Sequence, residues 1–136
     1  MSLLDTFELP MAMPRGAAAA FAYDRIIRGT ETPRDTEYRI FTHLTAALEA
    51  ADQPDVPLGS RTEVIQRNRE FWLALGYDLA HPDNSLPDTL RAGLINLAIW
   101  VQGESSRAVR TGTKLRDLID VNRSVMAGLS RLPEAD

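Results

Sequence analysis

An all-α fold, a compact bundle of about five helices with no sheet, is what the amino-acid sequence predicts. Three observations predict it. Capping boxes, a hydroxyl followed three residues later by a carboxylate, punctuate the chain at Thr32–Asp35, Ser60–Glu63 and Ser85–Asp88. Between them apolar residues recur at helical spacing. No Asn-Gly or Asp-Gly pair marks a hairpin, and no strand-like alternation runs longer than chance.

The first predicted helix, 16–28, is alanine-rich, with Tyr23, Ile26 and Ile27 on one side and Phe21 on the other; Gly29 is placed to end it. The second, 33–51, has Pro33 in its first turn, where proline costs no hydrogen bond. Phe41, Leu44 and Leu48 form its stripe, with Ile40 at the edge. The third, 61–80, places Val64, Ile65, Phe71, Trp72, Leu75 and Leu79 on one face. The fourth, 86–110, carries Pro87 in its first turn and Gly112 beyond its end. It is apolar nearly all round from Leu94 to Val101, so it is either central in the bundle or covered by something else. The fifth, 114–131, aligns Leu115, Leu118, Ile119, Val125, Met126 and Leu129 and is followed by Pro133. The expected organisation is a flexible segment over 1–15, one helical domain over 16–132, and a tail over 133–136.

Composition narrows the function. The 136 residues are 44% hydrophobic and 25% charged, which suits a globular domain. A net charge of −4 disfavours nucleic-acid binding through overall basicity. Without cysteine there is no disulfide, thiolate chemistry or cysteine-based zinc site. No apolar run reaches the roughly 18 residues of a membrane span. The first residues lack a positive n-region and carry Asp5, Glu8, Pro10 and Pro14, so no signal peptide is expected and the cytoplasm is the expected location.

Catalytic signals are absent: there is no nucleophile elbow, phosphate-cradling glycine loop or HExxH. Asp78-x-x-His81 has the spacing of helical di-metal sites, but these need a second such pair, and Pro82 ends the helix there. His43 is expected as a partly buried histidine at the core edge. The chain is therefore not expected to be an enzyme or to hold a cofactor or metal.

Two asparagines stand out. Asn68 and Asn122 lie at the centres of the third and fifth apolar stripes. A buried amide costs about 1–3 kcal/mol unless it is bonded. Each either ties down a helix end or loop carbonyl, or meets a partner's backbone across a groove. Charge is uneven as well. Residues 1–105 carry 9 basic and 15 acidic side chains, net −6, whereas 106–132 carry 6 basic and 2 acidic, net +4. Arg107, Arg110, Lys114, Arg116, Arg123 and Arg131 form a face suited to RNA phosphates, to an acidic protein, or simply to water and the helix dipole. On the fourth helix, Leu90, Leu94, Leu97, Ala98 and Val101 suffice to pack it. Ile95 and Ile99 on one flank and Trp100 on the other are surplus and mark a candidate groove.

The chain also resembles the FlaF family of flagellar biosynthesis regulators. The resemblance begins at Thr36-Glu37-Tyr38-x-x-Phe41-x-x-x-Thr45-x-x-Leu48, after Pro33-Arg34, and continues at Asn68-Arg69-x-x-Trp72 and Asp78. It runs on through Asn84-x-Leu86-Pro87-x-x-Leu90-Arg91-Ala92 and closes at Val121-Asn122-x-x-Val125-Met126-x-Gly128-Leu129. Residues 1–15, Ala51–Ser60 and the pair Ile99-Trp100 depart from the pattern. The resemblance implies a small cytoplasmic protein that binds flagellin, serves its export as a chaperone and regulates its synthesis. Such proteins work opposite FlbT, a repressor of flagellin synthesis. An RNA-binding regulator of flagellin message and an adaptor for FlbT are the alternatives. Partner contact is expected at Ile95, Ile99, Trp100 and Arg91, with Trp72, Asn68, Asn122 and Met126 contributed by the motifs.

Overall fold

A computed structural model describes residues 33–131. Within them the chain forms four helices and no strand: α1 (Pro33–Ala51), α2 (Leu58–Ala80), α3 (Asp88–Thr111) and α4 (Arg116–Arg131). These are the second to fifth predicted helices. The predicted helix 16–28, the 1–15 segment, the capping residue Thr32, Gly29 and the tail lie outside the described residues.

Two of the predicted caps are not used. Pro57 and Pro87 occupy the N-cap positions of α2 and α3, and neither helix has a side-chain cap hydrogen bond. Each proline holds an extended ψ near 143–144°, and its carbonyl accepts the first helical bond, from Arg61 N–H at 3.1 Å or Arg91 N–H at 2.9 Å. Ser60 is consequently inside α2, and Glu63 pairs with Arg67 instead of reaching back. Ser85 is stranded before the helix because Leu86, the residue preceding Pro87, avoids helical geometry. Asn84 Oδ1 serves the entry to α3 by accepting Leu86 N–H at 3.1 Å. Gly112 ends α3 as expected, in the left-handed conformation (φ 68°), with its N–H on the Ala108 carbonyl.

The helices run up, down, up, down. Phe41 of α1 meets Phe71 and Trp72 of α2 edge-on, at centroid distances of 4.8 and 5.6 Å. Glu49 and Thr45 of α1 meet Arg123 and Met126 of α4. Arg69 of α2 and Gln102 of α3 exchange two hydrogen bonds, of 3.0 and 3.1 Å. The stripes read from the sequence are the core. Ile40, Phe41, Leu48, Ile65, Phe71, Trp72, Leu79, Leu115 and Leu118 are almost wholly buried, so Ile40 is central and not at an edge. Val64, Met126 and Leu129 pack against that core while partly buried.

One end of the bundle is latched by polar groups. Asp52 Oδ1 accepts Leu115 N–H at 3.0 Å and faces Arg61 at 3.6 Å, while Arg61 also donates to the Thr113 carbonyl. Arg61 and Asp52 side chains are only 13% and 19% exposed, so this pair escapes most of the screening that leaves surface pairs worth little. Arg61→Ala should therefore cost about 1–3 kcal/mol in urea unfolding, by releasing the α3–α4 turn from the start of α2.

Candidate functional site

Among the described residues, the α3 helix is not enclosed by its neighbours. It packs mainly on α2, and that contact is close because Gly76 sits against Ala98: a Cβ on the glycine would stand 3.4 Å from the alanine Cβ. Together with the Arg69–Gln102 bonds, this antiparallel register sets Leu73 level with Ile99 and Tyr77 level with Ile95. Ala98, Val101, Ser105 and Ala108 face inward. The opposite face of α3 looks outward. Ile99 is 65% exposed and Trp100 38%, on the two flanks separated in the sequence, while Ile95 is half-buried.

This outer face carries no charge over three turns. From Ala92 to Gly103 there is no Asp, Glu, Lys or Arg, and from Phe71 to Tyr77 there is none on α2. Leu73 and Tyr77 extend the apolar surface onto α2, 43% and 67% exposed. Sequence reasoning missed both. Counted at 100° per residue from Trp72, they fall outside the buried stripe, and that was the signal available. Arg91 and Glu104 bound the stretch. Arg91 is half-buried, donates to the Asn84 carbonyl at 3.3 Å, and keeps its Nε without a partner. Glu104 is held by Arg107 through two hydrogen bonds, which raise the arginine's pKa.

The two asparagines and Trp72 belong to the interior. Trp72 Nε1–H donates to Asn122 Oδ1 at 2.8 Å, and Asn122 Nδ2–H donates to Asn68 Oδ1 at 2.8 Å. All three residues are fully buried. The amides thus bond each other and an indole across α2 and α4, and neither ties down a helix end or loop carbonyl. With no exposed surface, they offer a partner nothing while the bundle is closed. Met126 is half-buried, its sulfur 3.8 Å from Thr45 Oγ1. Of the predicted contact residues, Ile99 and Trp100 are therefore the ones exposed on α3, while Ile95 packs against the core and Arg91 is half-buried.

The remaining candidates fall elsewhere. His43 is exposed on α1, not at the core edge, because its position points away from the Phe41–Leu44–Leu48 stripe. His81 caps α2, and its Nδ1 accepts Asp83 N–H at 3.1 Å. Among the described residues no three metal-ligating side chains gather, and no helix is long and apolar enough to cross a membrane. Of the six cations in 106–132, Arg107 pairs with Glu104, Arg116 with Asp120 and Arg123 with Glu49. Burial raises the Glu70 carboxyl above the ordinary 4.5, opposed by Arg67. A raised folded-state pKa means stability is lost as pH climbs from 4.5 through the raised value. Glu70→Gln should accordingly match the wild type below that window and gain slightly on it above, as read by melting temperature at pH 4 and pH 7.

Three comparisons bear on what this chain is. A family model described as flagellar protein FlaF matches residues 19–129. No match was found among curated proteins or solved structures.

Proposed function

Because the chain belongs to the FlaF family of flagellar proteins, we propose that it is a non-catalytic flagellin-binding protein that keeps flagellin competent for export and regulates its synthesis. The terminal helices of flagellin are built to pair in a filament. Before export their apolar faces need cover, and a helical partner gives it by helix-in-groove contact. The observation that carries this reading is the open, uncharged face of α3 with Ile99 and Trp100 exposed on it. Exposed large apolar groups gathered on one face mark interaction surfaces more than isolated ones do.

The ion pairs on the basic segment favour a protein partner over RNA. Three of the six cations are engaged within the chain, which leaves Arg110, Lys114 and Arg131 for phosphates. The test is capture by the purified protein of flagellin, FlbT and flagellin mRNA, offered separately over a range of salt. Flagellin should be retained with weak salt dependence. Retention of mRNA alone, falling steeply with salt, would replace this reading with the RNA one. Retention of FlbT alone would make the protein an adaptor.

A further inference from the structure

We propose that Asn68 Nδ2 and Ser105 Oγ share one buried, ordered water molecule, which carries the Trp72–Asn122–Asn68 chain across to α3. The donor sense of that chain is fixed at its start. An indole N–H can only donate, so the Asn122 atom 2.8 Å from Trp72 Nε1 is the oxygen. Asn122 then presents Nδ2 to Asn68, whose oxygen accepts at 2.8 Å. What remains of Asn68 is its Nδ2, a pure donor, wholly buried and without a hydrogen-bond partner among the protein's atoms. Ser105 Oγ is in the same position: the residue is fully buried and its hydroxyl meets no partner. Buried polar groups are bonded in the great majority of cases, to protein or to ordered water, so two orphans side by side call for a cause.

The helix register sets the two groups side by side. The antiparallel pair α2 and α3 is pinned where Arg69 bonds Gln102 and where Gly76 meets Ala98. Between those contacts the count along both helices puts Trp72 level with Val101, and one turn further Asn68 level with Ser105. All four residues are buried. The polar atoms are thus neighbours that do not bond directly, and one water spans such a gap with two hydrogen bonds. Charge decides the class of occupant. Among the described residues this level of the core, with Asn122 beside it, holds no charged side chain, so an ion there would stay uncompensated. Water is neutral, accepts from Asn68 Nδ2–H and bonds a hydroxyl in either sense. It also gives the Asn122 amide a replacement acceptor when Asn68 is truncated.

The experiment is a crystal structure of the full chain at a resolution that shows ordered water, read beside the melting temperature of Ser105→Ala. Density for one water about 3 Å from both Asn68 Nδ2 and Ser105 Oγ is the expected result. A direct hydrogen bond between the two side chains, or an empty gap between them, overturns the proposal. The substitution supplies an independent sign. Alanine is the better helix former and carries no hydroxyl to satisfy, so if Ser105 is unbonded in the core its removal raises the melting temperature. If the hydroxyl holds the water, its removal lowers the melting temperature by several degrees, which is the expected outcome. A rise in melting temperature overturns the shared site.

Discussion

Asn122→Ala is expected to lower stability by about 3 kcal/mol or more, a fall in melting temperature on the order of 15 °C for a domain of this size. Its amide is the centre of a buried chain, accepting from Trp72 and donating to Asn68, each at 2.8 Å. Truncation leaves an indole N–H and an amide oxygen unbonded in the core. Each such group costs about 1–3 kcal/mol. Asn68→Ala should cost less. It breaks one bond rather than two, and it also removes an Nδ2 that has no partner in the folded chain. Ser105 Oγ is likewise buried and unbonded, on the neighbouring α3. The order Asn122→Ala worse than Asn68→Ala, with flagellin affinity of the folded fraction unchanged for both, is checked by thermal melts beside binding isotherms. Unchanged melts with lost binding would show instead that these amides reach a partner.

Trp100→Ala is expected to weaken flagellin binding by about 2 kcal/mol or more, roughly thirtyfold, with little change in stability. Aromatic anchors near the centre of an interface carry a disproportionate share of affinity, and Trp100 is the exposed aromatic within the uncharged stretch of α3. Its side chain is partly exposed and outside the buried core, so truncation opens no large cavity. The contrast with Trp72 is sharp. That residue is wholly enclosed, and its removal would cost the fold first.

The core was legible in the sequence because a 100° turn per residue sorts Phe41, Ile65, Trp72, Leu118 and Ile119 onto inward faces whatever the neighbours are. The pairing of Asn68 with Asn122 was not. Each stripe showed its own misplaced amide, but 54 residues separate them, and only the parallel diagonal of α2 and α4 brings them together. The capping boxes misled at Ser60 and Ser85 because Pro57 and Pro87 set the helix entries by their own backbone geometry. On the candidate face, the surplus of Ile95, Ile99 and Trp100 over the packing stripe was visible along α3. Leu73 and Tyr77 were hidden inside an apolar run on another helix, and it took the Gly76–Ala98 register to set them alongside.

The most direct measurement of the flagellin-binding face is the tryptophan emission of the wild-type protein as flagellin is added, with a flagellin free of tryptophan as the ligand. Trp72 is already sealed in the core, so a change on binding reports Trp100. Covering of the α3 face predicts a saturable blue shift at one-to-one stoichiometry, little altered by salt and abolished in Trp100→Phe only as a signal, not as binding. An unchanged spectrum at saturation, with full affinity retained by Trp100→Ala, would contradict it.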